Sequence, residues 1–320
     1  MTPSVQVLLA TYHSESFLEE QIQSIMAQEV VQSQLLIRDD GSQDGTWEMI
    51  LALQRQYSGR IHAIRGDRLG PKENFHALLQ MADAPYVALS DADDRWLPYK
   101  LAQGLRTLHH AESLYGSSTP LLVCSDSMLC NAQGALLHRS FWEHQHLSPK
   151  RTALRHLLVQ NMVQGATLLC NRALLDRALP IPEEAIMHDW WLGLMAAATG
   201  QILPLSEPLL LYRQHSQNVL GAAAHPLVRL WKRGLPELCQ MRRHLLKTLR
   251  QAKALAQHLE QIGGVPTAAA LAREYSQLER STLWKCWSTL MQGGLWRNTL
   301  LQKLGQCMLL PTLSRSSETY

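Results

Sequence analysis

Four times in the first 115 residues a short apolar run gives way to a polar turn and then to an amphipathic segment. VQVLLATY (Val5 to Tyr12) reads as a buried strand. In SESFLEEQIQSIMAQ the residues Phe17, Leu18, Ile22, Ile25 and Met26 recur at helical spacing, with Ser14 or Ser16 placed to cap the start. Leu35 to Ile37 forms a second strand that ends in Asp39 and Asp40. A Gly-rich turn with Asp44 as N-cap leads from there into a helix from about Thr46 to Tyr57. RIHAIRGD is a third strand, and GPKENFHALLQMA a helix with Pro71 near its start. PYVALSDADD and LPYKLAQGLRTLHH complete the fourth unit. Parallel neighbours need a crossover, and a helix supplies it, so this alternation predicts a parallel α/β sheet. Ligands of such sheets bind at the carboxyl ends of the strands. Both acidic clusters, RDD and DADD, fall there.

Beyond residue 115 the pattern changes. PLLVCSDSMLCNAQGALL predicts two strands joined by a turn at Asn131 to Gly134. LSPKRTALRHLLVQN predicts a helix, MVQGATLLCNRALLDRAL a strand running into a helix, HDWWLGLMAAATG a helix ending at Gly200, and QILPLSEPLLLYRQH an extended segment. From Pro226 the chain reads as helical and basic, with Trp231, Trp284, Trp287 and Trp296 interspersed.

Hydrophobic residues make up 46% of the 320, enough for one large core or two ordinary ones, and the 18% charged content is too low for a disordered chain. Six cysteines without a CxxC pair predict neither a disulfide framework nor a zinc site, and fit a reducing cytoplasm. The start lacks the basic and apolar regions of a signal peptide, and no window approaches about 18 uninterrupted apolar residues. Charge is divided unevenly. Residues 1–225 hold 16 Lys and Arg against 22 Asp and Glu, whereas residues 226–320 hold 14 against 5. An acidic first part and a basic tail suggest two regions with different partners.

RDDGSQDGT is by itself an ordinary tight turn. DADD is by itself an ordinary helix cap before LPYKL. The alternative for DADD is chemical: Asp91 and Asp93 lie two apart, so in extended chain they share a side and present oxygen ligands to a hard divalent cation. Neither GxxxxGKS/T nor GxGxxG is present, which excludes a P-loop ATPase and an ordinary dinucleotide enzyme. A nucleotide held without such a loop needs another charge partner, and a metal at Asp91 and Asp93 supplies one.

VLLATYHSESFLEEQIQSIMAQ, LLIRDDGSQDGT, GPKENFHALL and YVALSDADDRWLPYKL together resemble, in order and spacing, the family 2 glycosyltransferases of GT-A fold. HDWW and LYRQHSQNVLG resemble the subgroup that includes bacterial rhamnosyltransferases. The resemblance covers residues 4–221. It implies an α/β fold of the GT-A nucleotide-diphospho-sugar transferase type over residues 1–221, followed by a helical C-terminal extension over 222–320. It also implies an inverting, metal-dependent transfer of one sugar from a nucleotide-sugar donor. By that resemblance Thr11, Tyr12 and Glu15 border the nucleotide base, Asp39 hydrogen-bonds its ring, and Asp40 shapes the same loop. Asn74 faces the donor. Asp93 holds Mg²⁺ or Mn²⁺, Asp91 turns to the ribose or the metal, and His215 is a second metal ligand. Asp189 is the catalytic base, although His188 stands where the family has Glu. The dipole of a helix beginning at Asp189 would keep it ionised. Arg213 could neutralise phosphate. The QxxRW motif of processive synthases is absent.

Gln164, Gly165, Trp190 and Trp191 are acceptor-side candidates, against the plainer reading of a buried strand and core tryptophans. The basic, Trp-containing tail suits a membrane surface, placing the protein on the inner face of the cell membrane, with a lipid-linked oligosaccharide or glycan as acceptor. Its alternative is a subdomain packed on the catalytic part or on a second subunit in a homodimer. No nucleic-acid motif accompanies the charge. Rival functions are a nucleotidyltransferase, which would need a triphosphate loop that LLATYHSESF lacks, and a non-catalytic binding protein on a transferase fold.

Overall fold

The computed structural model describes residues 5–29, 33–215 and 235–313. Strands β1 (Val5–Thr11), β2 (Ser33–Asp39), β3 (Ile61–Arg65) and β4 (Tyr86–Ser90) pair in parallel in the order β3-β2-β1-β4. Helices α1 (Leu18–Met26), α2 (Thr46–Gln56) and α3 (Pro71–Met81) make the crossovers. Each central strand is buried on both faces, which is why it reads as an unbroken apolar run. Val7, Leu9, Leu35 and Ile37 pack with Ile22, Ile25 and Ile50 of α1 and α2, and Leu8, Leu36 and Leu89 with Phe75, Leu78 and Leu79 of α3.

After β5 (Arg95–Trp96) and α4 (Lys100–Tyr115) the sheet becomes mixed. The long β6 (Leu121–Asn131) carries the short β7 (Leu136–His138) across the expected Asn131 to Gly134 turn. Short helices α5 (Phe141–His144) and α6 (Leu154–Leu157) follow, then β8 (Leu169–Asn171), α7 (Arg172–Ala178), α8 (His188–Thr199) and β9 (Gln201–Gln214). The full order is β3-β2-β1-β4-β8-β6-β9-β5, with β7 on β6. Strand β8 runs antiparallel to both β4 and β6, and β9 is parallel to β6. Strands β6 and β9 therefore point the same way as β1 and β4, and their carboxyl ends meet at one edge of the sheet.

Three local expectations change. The serine cap of α1 is not made: no side chain caps the helix, and the Ser14 carbonyl accepts the Phe17 and Leu18 amides. The helix expected over LSPKRTALRHLLVQN shrinks to α6, because past it Asn161 bonds its own neighbourhood, accepting from the Val163 amide and donating to the Val163 carbonyl. The strand expected over MVQGATLLCN shrinks to β8. Its first half becomes a 3-10 turn at Gly165–Thr167, held where the Gly165 amide reaches Asp189.

The C-terminal helices α9 (Leu235–Gln261), α10 (Pro266–Ser276), α11 (Leu283–Gly293) and α12 (Leu300–Leu313) are not a separate body. Leu249, Leu255 and Leu259 of α9, Tyr275 of α10 and Leu290 of α11 belong to the same apolar core as Trp191 and Leu194 of α8. Packing on the α/β part, one of the two readings of the tail, is thus present. The expected 221/222 boundary and Trp231 lie outside the described residues.

Candidate active site

The carboxyl edge opens into one cavity of about 1310 Å³. Its first wall comes from β1, β2 and α3. Thr11 is buried, with a hydroxyl that lacks a hydrogen-bond partner among the described residues. The Tyr12 ring stacks on His13 at 4.0 Å between centroids, and the Arg68 guanidinium lies 4.5 Å from the Tyr12 centroid. Asp40 ties the wall together, accepting from the amides of Leu69 and Gly70 and from Arg38 Nη1, each at 2.8 Å. Asn74 accepts from the same Arg38 Nη1 at 2.8 Å. Thr11, Tyr12, Asp40 and Asn74 all line the cavity. Asp39 and Glu15 do not. Asp39 is fully buried and accepts from the Ser42 amide and hydroxyl, closing the turn, while Glu15 is exposed and accepts from the Gly45 amide at 3.0 Å.

The second wall is the DADD loop. The chain bends at once after β4, so the alternation of an extended strand does not apply to it. Asp91 and Asp93 nevertheless both reach the cavity, while Asp94 is turned inward, fully buried, and accepts from the Arg213 amide at 3.1 Å. Burial, then the charges of Asp93 and Asp189, pushes the Asp91 carboxyl up to about 7. Arg213 lies beneath this loop rather than in the cavity lining. Its guanidinium donates to the carbonyls of Asp93 and Ala132 and to Glu20, and packs 4.9 Å from the Phe17 centroid. The cation anticipated for phosphate is thus engaged in fixing the aspartate loop.

His215 stands just past the end of β9 and puts Nε2 2.8 Å from Asp93 Oδ2. Among the described residues no group of three or more His, Cys, Asp or Glu side chains is arranged to hold a metal ion. The donor set nevertheless fits one type of ion. A carboxylate oxygen and an imidazole nitrogen already meet, a second carboxylate (Asp91) lines the same cavity, and Mg²⁺-type ions characteristically take few protein ligands and complete their shell with phosphate oxygens and water.

The third wall is the start of α8. Gly200 alone separates α8 from β9, so the helix begins near the edge where β9 ends. Asp189 accepts from the Gly165 amide at 3.0 Å and from the Trp190 amide at 2.6 Å. Burial outweighs these amides and raises its carboxyl to about 6. The helix start therefore does not hold Asp189 as strongly ionised as expected, because desolvation is the larger effect. His188 stacks on Phe75 at 4.0 Å and is held by burial down to about 3, a neutral imidazole. Gln164, Gly165 and Trp190 line the cavity, with Gln164 Oε1 accepting from Ser127 and Trp190 Nε1 donating to the Leu157 carbonyl. Trp191 does not; it is a core residue, fully buried, and donates to the Ala178 carbonyl.

Other lining residues gave no expectation. His138 and His144, with rings 4.2 Å apart, belong to the segment HRSFWEHQH, whose density of histidines is a readable signal. Tyr212 is the residue before Arg213 on β9. His244 and Gln302 come from the C-terminal helices α9 and α12 and Arg297 from the loop between α11 and α12, and no local pattern marks them.

Comparison with known proteins agrees with this architecture. The fold is that of the GT-A glycosyltransferases. Structures of Staphylococcus aureus TarS (residues 1-349, in complex with UDP-GlcNAc) and of the mannosyltransferase PcManGT from Pyrobaculum calidifontis (in complex with GDP-Man and Mn²⁺) superpose with TM-scores of 0.54 and 0.52. Each is 15% identical in sequence and covers 98% of this chain, and the matches cover 91% and 85% of the two structures. More particularly, residues 6–119 match the family model for glycosyl transferase family 2. The dTDP-rhamnosyl transferase RfbG of Shigella flexneri is 26% identical over 67% of this chain and 74% of its own. An uncharacterised protein of Mycobacterium tuberculosis is 24% identical over 71% of this chain. That match covers 64% of the relative, so the chain spans less than two thirds of its length.

Proposed function

We propose that the chain is an inverting glycosyltransferase that moves a single sugar from a nucleotide sugar to a hydroxyl of an acceptor glycan. The observation that carries this reading is one cavity at the carboxyl edge of the sheet lined by Tyr12, Asp40, Asn74, Asp91, Asp93, Asp189 and His215. In it, Tyr12 and Thr11 receive the base, Asp40 and Asn74 hold the wall beside the donor, and Asp189 receives the acceptor proton. Gly165 and Trp190 fix the direction of the Asp189 carboxylate, and a carboxyl raised to about 6 is closer in basicity to a proton acceptor near neutral pH than an ordinary aspartate. Asp93 and His215 would hold Mg²⁺ or Mn²⁺, with Asp91 beside them. Such an ion, when bound, neutralises charge on the departing diphosphate without a proton transfer. Arg213 keeps the aspartate loop in place.

The similarity to a dTDP-rhamnosyl transferase supports dTDP-L-rhamnose as donor, and the product we propose is a bacterial surface polysaccharide of the lipopolysaccharide O-chain kind. On α11, Trp284, Trp287 and Met291 follow helical spacing and are exposed, Trp284 at 83%. Leu304 and Met308 of α12 are exposed as well. None of the described helices is long and apolar enough to cross a membrane. These faces, on a basic tail, support attachment to an anionic membrane surface where a lipid-linked acceptor would lie.

Calorimetry tests the reading. UDP-, GDP- and dTDP-sugars are titrated with Mn²⁺ and with EDTA into the wild type and into Asp93→Ala. Tight binding of one nucleotide sugar, lost with EDTA and with the substitution, is expected. Binding that ignores both would remove the metal from the mechanism, and failure of every donor to bind would leave a non-catalytic protein on a transferase fold.

A further inference from the structure

The cavity has a fourth, oppositely charged wall that the donor chemistry leaves unused. The loop between α11 and α12 docks on the segment around α6: the Asn298 amide donates to Gln160 Oε1 at 3.2 Å, and Arg151 donates to the Trp296 carbonyl. A reciprocal cap between Thr299 and Gln302 starts α12, and the Arg297 amide donates to Gln306, so the loop is held from both sides. This fixes Arg297 in the cavity lining beside His244, whose ring is 5.8 Å from that of Trp190.

Among the described residues Arg297 has no carboxylate partner. Among the described residues its side chain takes part in no ion pair or hydrogen bond, and its Nε is buried without an acceptor. Burial holds its guanidinium below the usual value, and the one group that acts in the other direction is the Tyr275 hydroxyl. Two of the few tail carboxylates are engaged elsewhere, Glu260 with Arg273 and Glu274 with Thr289. Residues 216–234, which join β9 to α9, contain no Asp or Glu at all. The neighbouring charges are also positive: Lys247 and Arg297 both act on His244, and Arg151 and Arg155 both act on His156. A desolvated cation without a counter-charge is costly, and a bound anion would relieve that cost.

We propose that this wall is an acceptor subsite for a phosphate or diphosphate group, gripped by Arg297 with His244 beside it. The inference rests on the glycosyltransferase reading, since it takes the Asp91, Asp93 and His215 side of the cavity for the donor. Arg297 in the lining, with Lys247, Arg151 and Arg155 acting on the histidines around it, matches a multiply charged anion better than a single carboxylate. The guanidinium fork suits phosphate geometry. Trp190 lies against His244 and directly follows Asp189 in the chain, so a group held here sets the distance from the acceptor's charge to its reacting hydroxyl. The acceptor is then a sugar carried on a phosphorylated anchor or a phosphorylated sugar, and the same wall recognises either.

The test uses the full chain in EDTA, where a metal-bound donor diphosphate cannot form. Inorganic pyrophosphate, farnesyl diphosphate, glucose 1-phosphate and glucuronate are titrated into wild type, Arg297→Gln, Arg297→Lys, His244→Asn and Asp93→Ala, with thermal melting as the folding control. Pyrophosphate is expected to bind wild type and Asp93→Ala equally, to weaken at least tenfold in Arg297→Gln, and to recover in part in Arg297→Lys. Tighter binding of farnesyl diphosphate than of glucose 1-phosphate assigns a lipid anchor, and the reverse order a phosphosugar. If Arg297→Gln melts early, Arg297→Lys and His244→Asn carry the comparison. Unchanged binding in folded Arg297→Gln, loss in Asp93→Ala instead, or preference for glucuronate would overturn the proposal. Failure of the glycosyltransferase reading shows separately, as absence of any nucleotide-sugar binding in Mn²⁺.

Discussion

The Gly165 amide donates to Asp189 Oδ2 at 3.0 Å, joining two segments 24 residues apart in sequence. A Cβ added at Gly165 would lie 3.2 Å from His188 Nε2 and 3.4 Å from Asp189 Cβ. The glycine therefore allows the turn to approach the start of α8 closely enough to aim the carboxylate.

If Asp189 is the base, Asp189→Asn lowers kcat by roughly 10²- to 10⁴-fold and leaves donor affinity within a few-fold. The pH profile has a definite sign. A base must be deprotonated to act, and burial raises this carboxyl to about 6, so activity rises with pH through about 6 and levels above it. Steady-state kinetics from pH 5 to 8 checks this, and a flat profile would assign the proton to another group.

Gly165→Ala crowds His188 and Asp189 without removing either. A fall in kcat of about 10- to 100-fold, with KM for the donor little changed, is expected from misplacing a reacting group by a fraction of an ångström to about 1 Å. Kinetics alongside a melting curve separates this from loss of folding.

His215→Ala removes the nitrogen that meets Asp93 Oδ2 at 2.8 Å. Nucleotide-sugar affinity in Mn²⁺ falls towards the level to which EDTA reduces the wild type. Calorimetry in Mn²⁺ decides it; affinity equal to wild type would make the histidine a plain loop contact.

Tyr12→Ala removes a ring of the cavity lining that stacks on His13 and lies 4.5 Å from the Arg68 guanidinium. Aromatic stacking on a base contributes about 1–3 kcal/mol, so the donor's affinity drops about 5- to 160-fold. Tyr12→Phe retains the affinity, which distinguishes stacking from hydrogen bonding by the hydroxyl.

Trp284→Ser with Trp287→Ser, on the exposed face of α11, abolishes sedimentation with vesicles containing anionic lipid and leaves activity on a water-soluble acceptor unchanged. Sedimentation equal to wild type would assign this face to another protein surface.

The α/β repeat, the parallel sheet of the first four strands and the two acidic clusters are legible in the sequence, because each depends on local periodicity and on residue type at strand ends. Thr11, Tyr12, Asp40, Asn74, Asp91, Asp93, Asp189 and His215 are nameable from their motifs, with the family resemblance supplying their roles. What the sequence does not reveal is which side chains face the cavity. Asp39 and Arg213 are polar residues next to the site, yet both are used up in holding loops, and Trp191 differs from Trp190 only by one step around α8. Hydropathy cannot separate such neighbours, since the choice is made by which partner each side chain meets.

By itself the sequence determined that residues 5–115 alternate strands and helices and that two of those strands, β2 and β4, end in carboxylate clusters, since the side-chain pattern there follows the period of the local backbone. Only the tertiary structure decided that β8 runs antiparallel between β4 and β6, turning β9 so that it delivers His215 to Asp93, 122 residues earlier. It also decided that the C-terminal helices bring Arg297 and His244 into the same cavity. Those juxtapositions arise from strand order and helix docking, which depend on burying apolar faces against distant segments and leave no mark at the residues they bring together.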